Sequence, residues 1–311
     1  MVDKKILVAS GLFLIAIMLT GCGFSGGSGE PPVSAQFAAT GTEGIVMQFV
    51  QDQPPSKVYT GSPVTFLVEL RNRGTHDVQS GMFYLTGFDP GIVTGLPPYQ
   101  GIQGTLEGKS PYNPEGGYST LEFASSTVTL PAAMPNYNPT FMLTACYPYQ
   151  TVATPLVCVD SNPLDTSSDK ACRAQKVYST GSQGAPVTIQ SIESEARPNG
   201  MYFRIHIANT AGGTAQASGT VFDMGSMGSC PGGLSYTDLN LVEYTISISG
   251  SILSCDPKSP LRLVNNQGTI FCQYTPGSLP AYQTPLEIRL SYGYKSSISK
   301  VVEIENLNFA R

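Results

Sequence analysis

Tryptophan is absent, histidine occurs twice, and charged residues make up only 13% of the 311 positions. Sparse charge with a formal balance of -5 excludes a nucleic-acid interface, because the net field opposes phosphate and no Lys/Arg cluster rises above the background. The two histidines, His76 and His206, stand far apart, and no Cys-x-x-Cys pair accompanies them, so no zinc site is expected. A Gly-x-Ser-x-Gly elbow between a strand and a helix, a His-Glu-x-x-His pair, a phosphate loop after a strand and a Rossmann fingerprint are all missing. No catalytic residue, metal or cofactor is therefore expected, and the chain reads as not an enzyme. Every candidate Asn-x-Ser/Thr site fails, the nearest being Asn138-Pro139-Thr140, so simple N-glycosylation is not expected.

The longest apolar run, residues 6–19, falls short of the roughly 20 residues that span a membrane. Lys4 and Lys5 precede it and Leu19-Thr20-Gly21-Cys22 follows, which gives residues 1–22 the charge and length of a secretory signal ending in a lipobox. Cleavage before Cys22 would leave that cysteine carrying the lipid; an uncleaved anchor is the alternative. Under either reading the rest of the chain lies on the extracytoplasmic side of the cell membrane, held by its N-terminus. Residues 23–42, rich in Gly and Ser and stiffened at Pro31-Pro32, read as a flexible linker.

Abundant Gly, Pro, Ser, Thr and Tyr are the profile of short strands joined by many turns. Val64, Phe66, Val68 and Leu70 alternate with Thr65, Leu67, Glu69 and Arg71, placing the first set on a buried face. Residues 81–85 form the next strand, paired with it in a hairpin or across sheets. Residues 87–117 hold many Gly and Pro, and a stretch of that length is either a functional loop or several short edge strands. Tyr99, Tyr112 and Tyr118 in or beside it form a possible binding loop for a sugar or a protein, unless they pack back on their own sheet. The closing strand carries Phe141, Leu143, Ala145, Tyr147 and Tyr149 on one face. Residues 298–307 read as a last alternating strand.

A repeat organises the whole. Phe66, Val68, Leu70, Asn72 and Gln79 are echoed at the same spacing by Phe203, Ile205, Ile207, Asn209 and Gln216. Phe141, Leu143, Ala145, Tyr147 and Tyr149 are echoed by Leu286, Ile288, Leu290, Tyr292 and Tyr294, and Leu130-Pro131 by Leu279-Pro280. With a linker-like boundary at Gly181-Ser182-Gln183-Gly184, two copies of one all-β domain are expected, residues 43–182 and 183–311.

Residues 60–74, with an apolar strand ending in Asn72-Arg73-Gly74, resemble the early strands of Ig-like domains of the cell-adhesion-related CARDB type. The second copy departs from that pattern at Thr210-Ala211-Gly212. The whole chain also resembles tandem-domain surface lipoproteins of archaea. The resemblance implies two tandem Ig-like antiparallel β-sandwiches in a surface or adhesive setting; it transfers no catalytic residue.

Setting Cys22 aside, six of the seven cysteines remain, an even number that in an exported chain reads as disulfides. Sequence proximity favours Cys158 with Cys172 and Cys255 with Cys272. Cys146 and Cys230 are left to pair across the boundary, stay free or displace one of these. Asp160, Asp165 and Asp169 lie between Cys158 and Cys172, either as solvated loop acids or as calcium ligands without an EF-hand pattern. Function is expected to be adhesion or ligand binding at the cell surface, with a surface protein or glycan as partner. A structural subunit of an envelope or secretion assembly is the alternative, and a glycan-acting enzyme using loop carboxylates ranks last.

Overall fold

Alternation over Phe66, Val68 and Leu70 makes one strand face apolar, and in the computed structural model of the protein all three side chains are fully buried. The structure describes residues 39–165, 169–198, 200–211, 219–277, 279–307 and 309. The leader, Cys22, most of the linker and Gln216 of the repeat lie outside the described residues. The described chain is all-β with several sheets, and no helix in it is long and apolar enough to cross a membrane.

The first half opens with β1 (Ile45–Phe49), β2 (Lys57–Tyr59) and β3 (Thr65–Asn72), separated by the breaks at Pro54-Pro55 and Gly61-Ser62-Pro63. β4 (Met82–Thr86) lies in a different sheet from β3, so the link between them crosses sheets. The Gly/Pro-rich stretch carries two short strands, β5 (Val93–Thr94) and β6 (Tyr99–Gly101), before β7 (Tyr118–Ala124) and β8 (Thr127–Val128). β9 (Asn136–Tyr137), β10 (Thr140–Ala153) and β11 (Leu156–Val159) complete this half.

The second half runs through β12 (Val177–Tyr178), β13 (Val187–Arg197), β14 (Gly200–Asn209) and β15 (Thr220–Phe222) to a 3-10 turn at Met224–Ser229. β16 (Leu241–Ile248), β17 (Ser251–Ile252), β18 (Ser254–Asp256), β19 (Leu261–Arg262) and β20 (Gln267–Tyr274) follow. β21 (Tyr282–Val301) is 20 residues long and β22 (Glu303–Glu305) ends the described strands, so the alternation at 298–307 is split between these two.

The repeat reappears in the pairing. One sheet has the order β17-β16-β21-β10-β4-β6, which reads as its own mirror about the β21–β10 contact. Phe83 of β4 faces Ala145 of β10, and Tyr244 of β16 faces Leu290 of β21, the repeat equivalent of Ala145. Flanking sheets β1-β3-β7 and β12-β13-β14-β20-β18 match likewise: Ile45 faces Asn72 as Val187 faces Asn209, and Phe66 faces Phe123 as Phe203 faces Cys272. The Phe66 and Phe141 rings, 4.4 Å apart between centroids, show the first flanking sheet stacked on the shared one, and a continuous apolar core fills the space between layers.

The equivalent closing strands pair with each other. β10 and β21 are antiparallel over the whole of β10, with Tyr147 facing Tyr294, Tyr149 facing Tyr292, and Pro148 opposite Gly293 at the centre. The same register continues outward: Val159 of β11 faces Tyr282, and Ile304 of β22 faces Tyr137 of β9. Swapping the halves maps each of these pairs onto another, so a local two-fold axis passes beside Pro148 and Gly293. Each half thereby completes a sheet of the other. The Gly181–Gly184 stretch is itself held down, since Thr75 Oγ1 donates to Gln183 O at 2.8 Å and Gln183 Oε1 accepts from Ile189 N–H at 2.9 Å.

A disulfide between Cys146 and Cys230 ties the 3-10 turn region to the outer face of the shared sheet, where both sulfurs are buried with Phe222. Gly293 leaves room for that ring: a Cβ there would meet Phe222 Cε2 at 2.4 Å.

Candidate functional site

The outer face of the second flanking sheet carries a groove of about 860 Å³. Its floor follows from period-two geometry. Met201, Phe203, Ile205 and Ile207 of β14 point into the core, so Tyr202, Arg204 and His206 point out. Strand register then lines up two rows across four strands. Glu195, Tyr202, Gln273 and Ser254 form one; Glu193, Arg204, Phe271 and Asp256 form the other.

Charge in the groove is organised in pairs, each guanidinium joined to one carboxylate and stacked on one ring. Arg204 Nη1 lies 2.7 Å from Glu193 Oε2, and its Cζ is 5.3 Å from the Phe271 ring centroid. Arg197 donates two hydrogen bonds to Glu195, at 2.8 and 2.9 Å, while its Cζ sits 4.9 Å over Tyr202. Hydrogen bonding from Arg197 holds the Glu195 carboxyl below its ordinary range and raises the guanidinium in turn. His206, in the neighbouring row, has Nε2 3.4 Å from Glu193 Oε1 and Nδ1 3.2 Å from Thr269 Oγ1. Lys176 and Lys258 flank the groove, the latter donating to Ser254 Oγ at 3.0 Å. Phe271 is 48% exposed, a large apolar ring open to solvent between charged neighbours. The arrangement can stack a ligand on flat π and guanidinium surfaces while donors and acceptors meet its polar edge.

The residues singled out from sequence are spread over the molecule. Tyr99 lies on the outer face of the shared sheet beside Tyr84, with ring centroids 5.9 Å apart. Tyr118 lies on the outer face of the first flanking sheet, under Arg71 at 5.7 Å, and Tyr112 projects from the turn closed by Ser110 and Asn113. All three are exposed, and the two strand tyrosines occupy faces of different sheets. Cys158 is bonded to Cys172 and Cys255 to Cys272. Within the first of these loops, Lys170 Nζ sits 2.7 Å from Asp160 Oδ2 with both side chains buried, placing an internal ammonium against the acid considered for calcium. No group of three His, Cys, Asp or Glu side chains is arranged to hold a metal among the described residues. His76 packs edge-on against Tyr149, where burial lowers its pKa from 6.5.

Sequence reading missed Glu193, Glu195, Tyr202, Arg204 and Phe271 as a group. Alternation of Tyr202, Arg204 and His206 with the core residues of β14 was the one available signal.

No family model and no curated protein matches the chain. Among solved structures, it is similar to the secreted serine protease VesC from Vibrio cholerae, at 10% sequence identity and a TM-score of 0.19. That match covers 83% of this chain and 50% of the protease, so the chain spans about half the length of that protein. The expectation that the chain is not an enzyme is not upheld, since a structure matched to it is an enzyme. A likeness of that size carries no argument for proteolysis either.

Proposed function

We propose that the protein is a lipid-anchored cell-surface lipoprotein in which two related Ig-like β-sandwiches, residues 43–182 and 183–311, serve adhesion or ligand binding. In this reading Cys22 carries the lipid, residues 23–42 give reach, and the groove over Arg204 and Phe271 receives the ligand, a surface protein or a glycan. The observation that carries it is a concentration of charge and exposed ring. Seven of the sixteen residues lining the groove are charged in a chain whose charged fraction is 13%. Three disulfides support export, because such bonds persist in oxidising compartments.

Two measurements test the reading. Labelled fatty acid is expected in the wild-type protein and lost in Cys22→Ala, with surface exposure shown by protease accessibility on whole cells. Protein and glycan arrays probed with the purified full chain are expected to give hits that Phe271→Ala and Arg204→Ala each reduce at least tenfold while circular dichroism stays unchanged. Retention of the hits in both variants removes the groove from the proposal. A second reading, a structural subunit of an envelope or secretion assembly, is favoured by the open edge of β7.

A further inference from the structure

The two halves differ at one edge. In the second half, β18 covers β20 antiparallel, with Cys255 bonded to Cys272 directly opposite. β7 takes the place of β20 in the first half, and among the described residues no strand lies beyond it. The sequence Tyr118-Ser119-Thr120-Leu121-Glu122-Phe123-Ala124 is rich in strand-forming residues and has none of the Pro or Lys that blunt natural edges. One hydrogen bond shows which way the edge groups face, and it occupies one of them: the Glu122 carbonyl is held by the Gln100 side chain, which must release it when another strand pairs there. Gln100 Nε2 donates to Glu122 O, so that carbonyl points away from β3, and the two-residue period turns the backbone groups of Tyr118 and Thr120 the same way.

We propose that this edge pairs with the same edge of a second copy of the chain, antiparallel about a two-fold axis at Thr120. Charge selects both the occupant and the register. With Thr120 facing itself, Glu122 of one copy lies opposite Tyr118 of the other, beside the Arg71 guanidinium stacked on that ring. Arg71 already stands 3.7 Å from Glu115 and gains a second carboxylate. Sliding by one rung sets Glu122 against Thr120 and loses the contact; sliding by two brings the two Glu122 carboxylates face to face. The edge is thus self-complementary, as a two-fold interface requires. The chain uses the same geometry within itself, where β10 meets β21 about the local axis. This proposal goes beyond the groove reading and does not depend on it.

The test uses the full chain in native membranes. Residues facing each other in a hydrogen-bonded antiparallel pair have Cα atoms about 5.5 Å apart, within disulfide reach. Thr120→Cys is therefore expected to form a dimer on a non-reducing gel that collapses on reduction, at least fivefold above Tyr112→Cys, whose exposed tip reports chance collision. Adding Glu122→Arg is expected to cut the dimer several-fold, and adding Arg71→Glu to that pair to restore it. Peptide mapping confirms that the three native disulfides are intact in each variant. A Thr120→Cys chain that stays monomeric with a free thiol overturns the proposal, as does a cross-link to a different protein. A dimer indifferent to Glu122→Arg overturns the register.

Discussion

Tyr147 of the first half and Tyr294 of the second face each other across the β10–β21 ladder, their ring centroids 5.8 Å apart. Tyr149 and Tyr292 form the next such pair. One hydroxyl of each pair ends on the backbone of a flanking sheet. Tyr147 Oη accepts from Ile45 N–H at 3.0 Å, and Tyr292 Oη accepts from Val187 N–H at 3.2 Å, at equivalent places in the repeat.

Tyr292→Phe removes the acceptor for a buried N–H and a partner of Thr151 Oγ1, 3.0 Å away. An orphaned buried donor costs about 1–3 kcal/mol. The expected result is a lower urea midpoint with unchanged slope, whereas Tyr112→Phe at the exposed turn leaves the midpoint where it was.

Burial also raises the pKa of all four tyrosines from the ordinary 10.0. Unfolded tyrosines release their protons near that value while the folded ones keep theirs. Their contribution to stability is therefore fully present below about pH 10 and lost as pH climbs through the folded values. Tyrosinate absorbance from these rings should rise only together with unfolding, and Tyr292→Phe should flatten the alkaline loss. His76 acts at the other end of the scale. Its lowered pKa gives stability present above 6.5 and lost as pH falls through the folded value, and His76→Gln should remove that acid dependence.

Cys146 and Cys230 are 84 residues apart in sequence, against 14 for Cys158 and Cys172. On chain-entropy grounds the long loop is worth about 4–5 kcal/mol and the short one about 3. Replacing both members of a pair by Ser should lower the melting temperature in both cases, more for Cys146 and Cys230.

Gly293→Ala is expected to destabilise, because its Cβ would enter the Phe222 ring at 2.4 Å in a rigid neighbourhood at the centre of the ladder. Overpacking of this kind costs about 1–3 kcal/mol. Phe222→Leu in the same chain should recover part of the loss, read by thermal melts of the double variant against each single one.

Strand faces were legible where one side of a strand is buried: Phe66, Val68 and Leu70, or Phe141, Leu143 and Ala145, alternate because only one face meets the core. The echo of these positions in the second half was also visible. What local pattern does not contain is the partner. Nothing near Tyr147 specifies that it faces Tyr294, since register between distant segments is set by packing of the finished sheets. The groove was hidden for the same reason, as Glu193, Arg204, Phe271 and Asp256 come from four strands that only register aligns. For the 87–117 stretch the alternatives were a functional loop or several short edge strands, and β5 and β6 could not be placed within it because strands of two or three residues carry no measurable period.

The reciprocal closure by β11 and β22 has a consequence for how the protein comes apart. A protease that nicked the connection at residues 179–182 would sever the polypeptide without releasing either piece, because Cys146 is bonded to Cys230, β10 lies along β21, and β22 sits between β2 and β9. Both fragments should migrate as one particle through gel filtration even after reduction, and separate only when reductant and denaturant are combined.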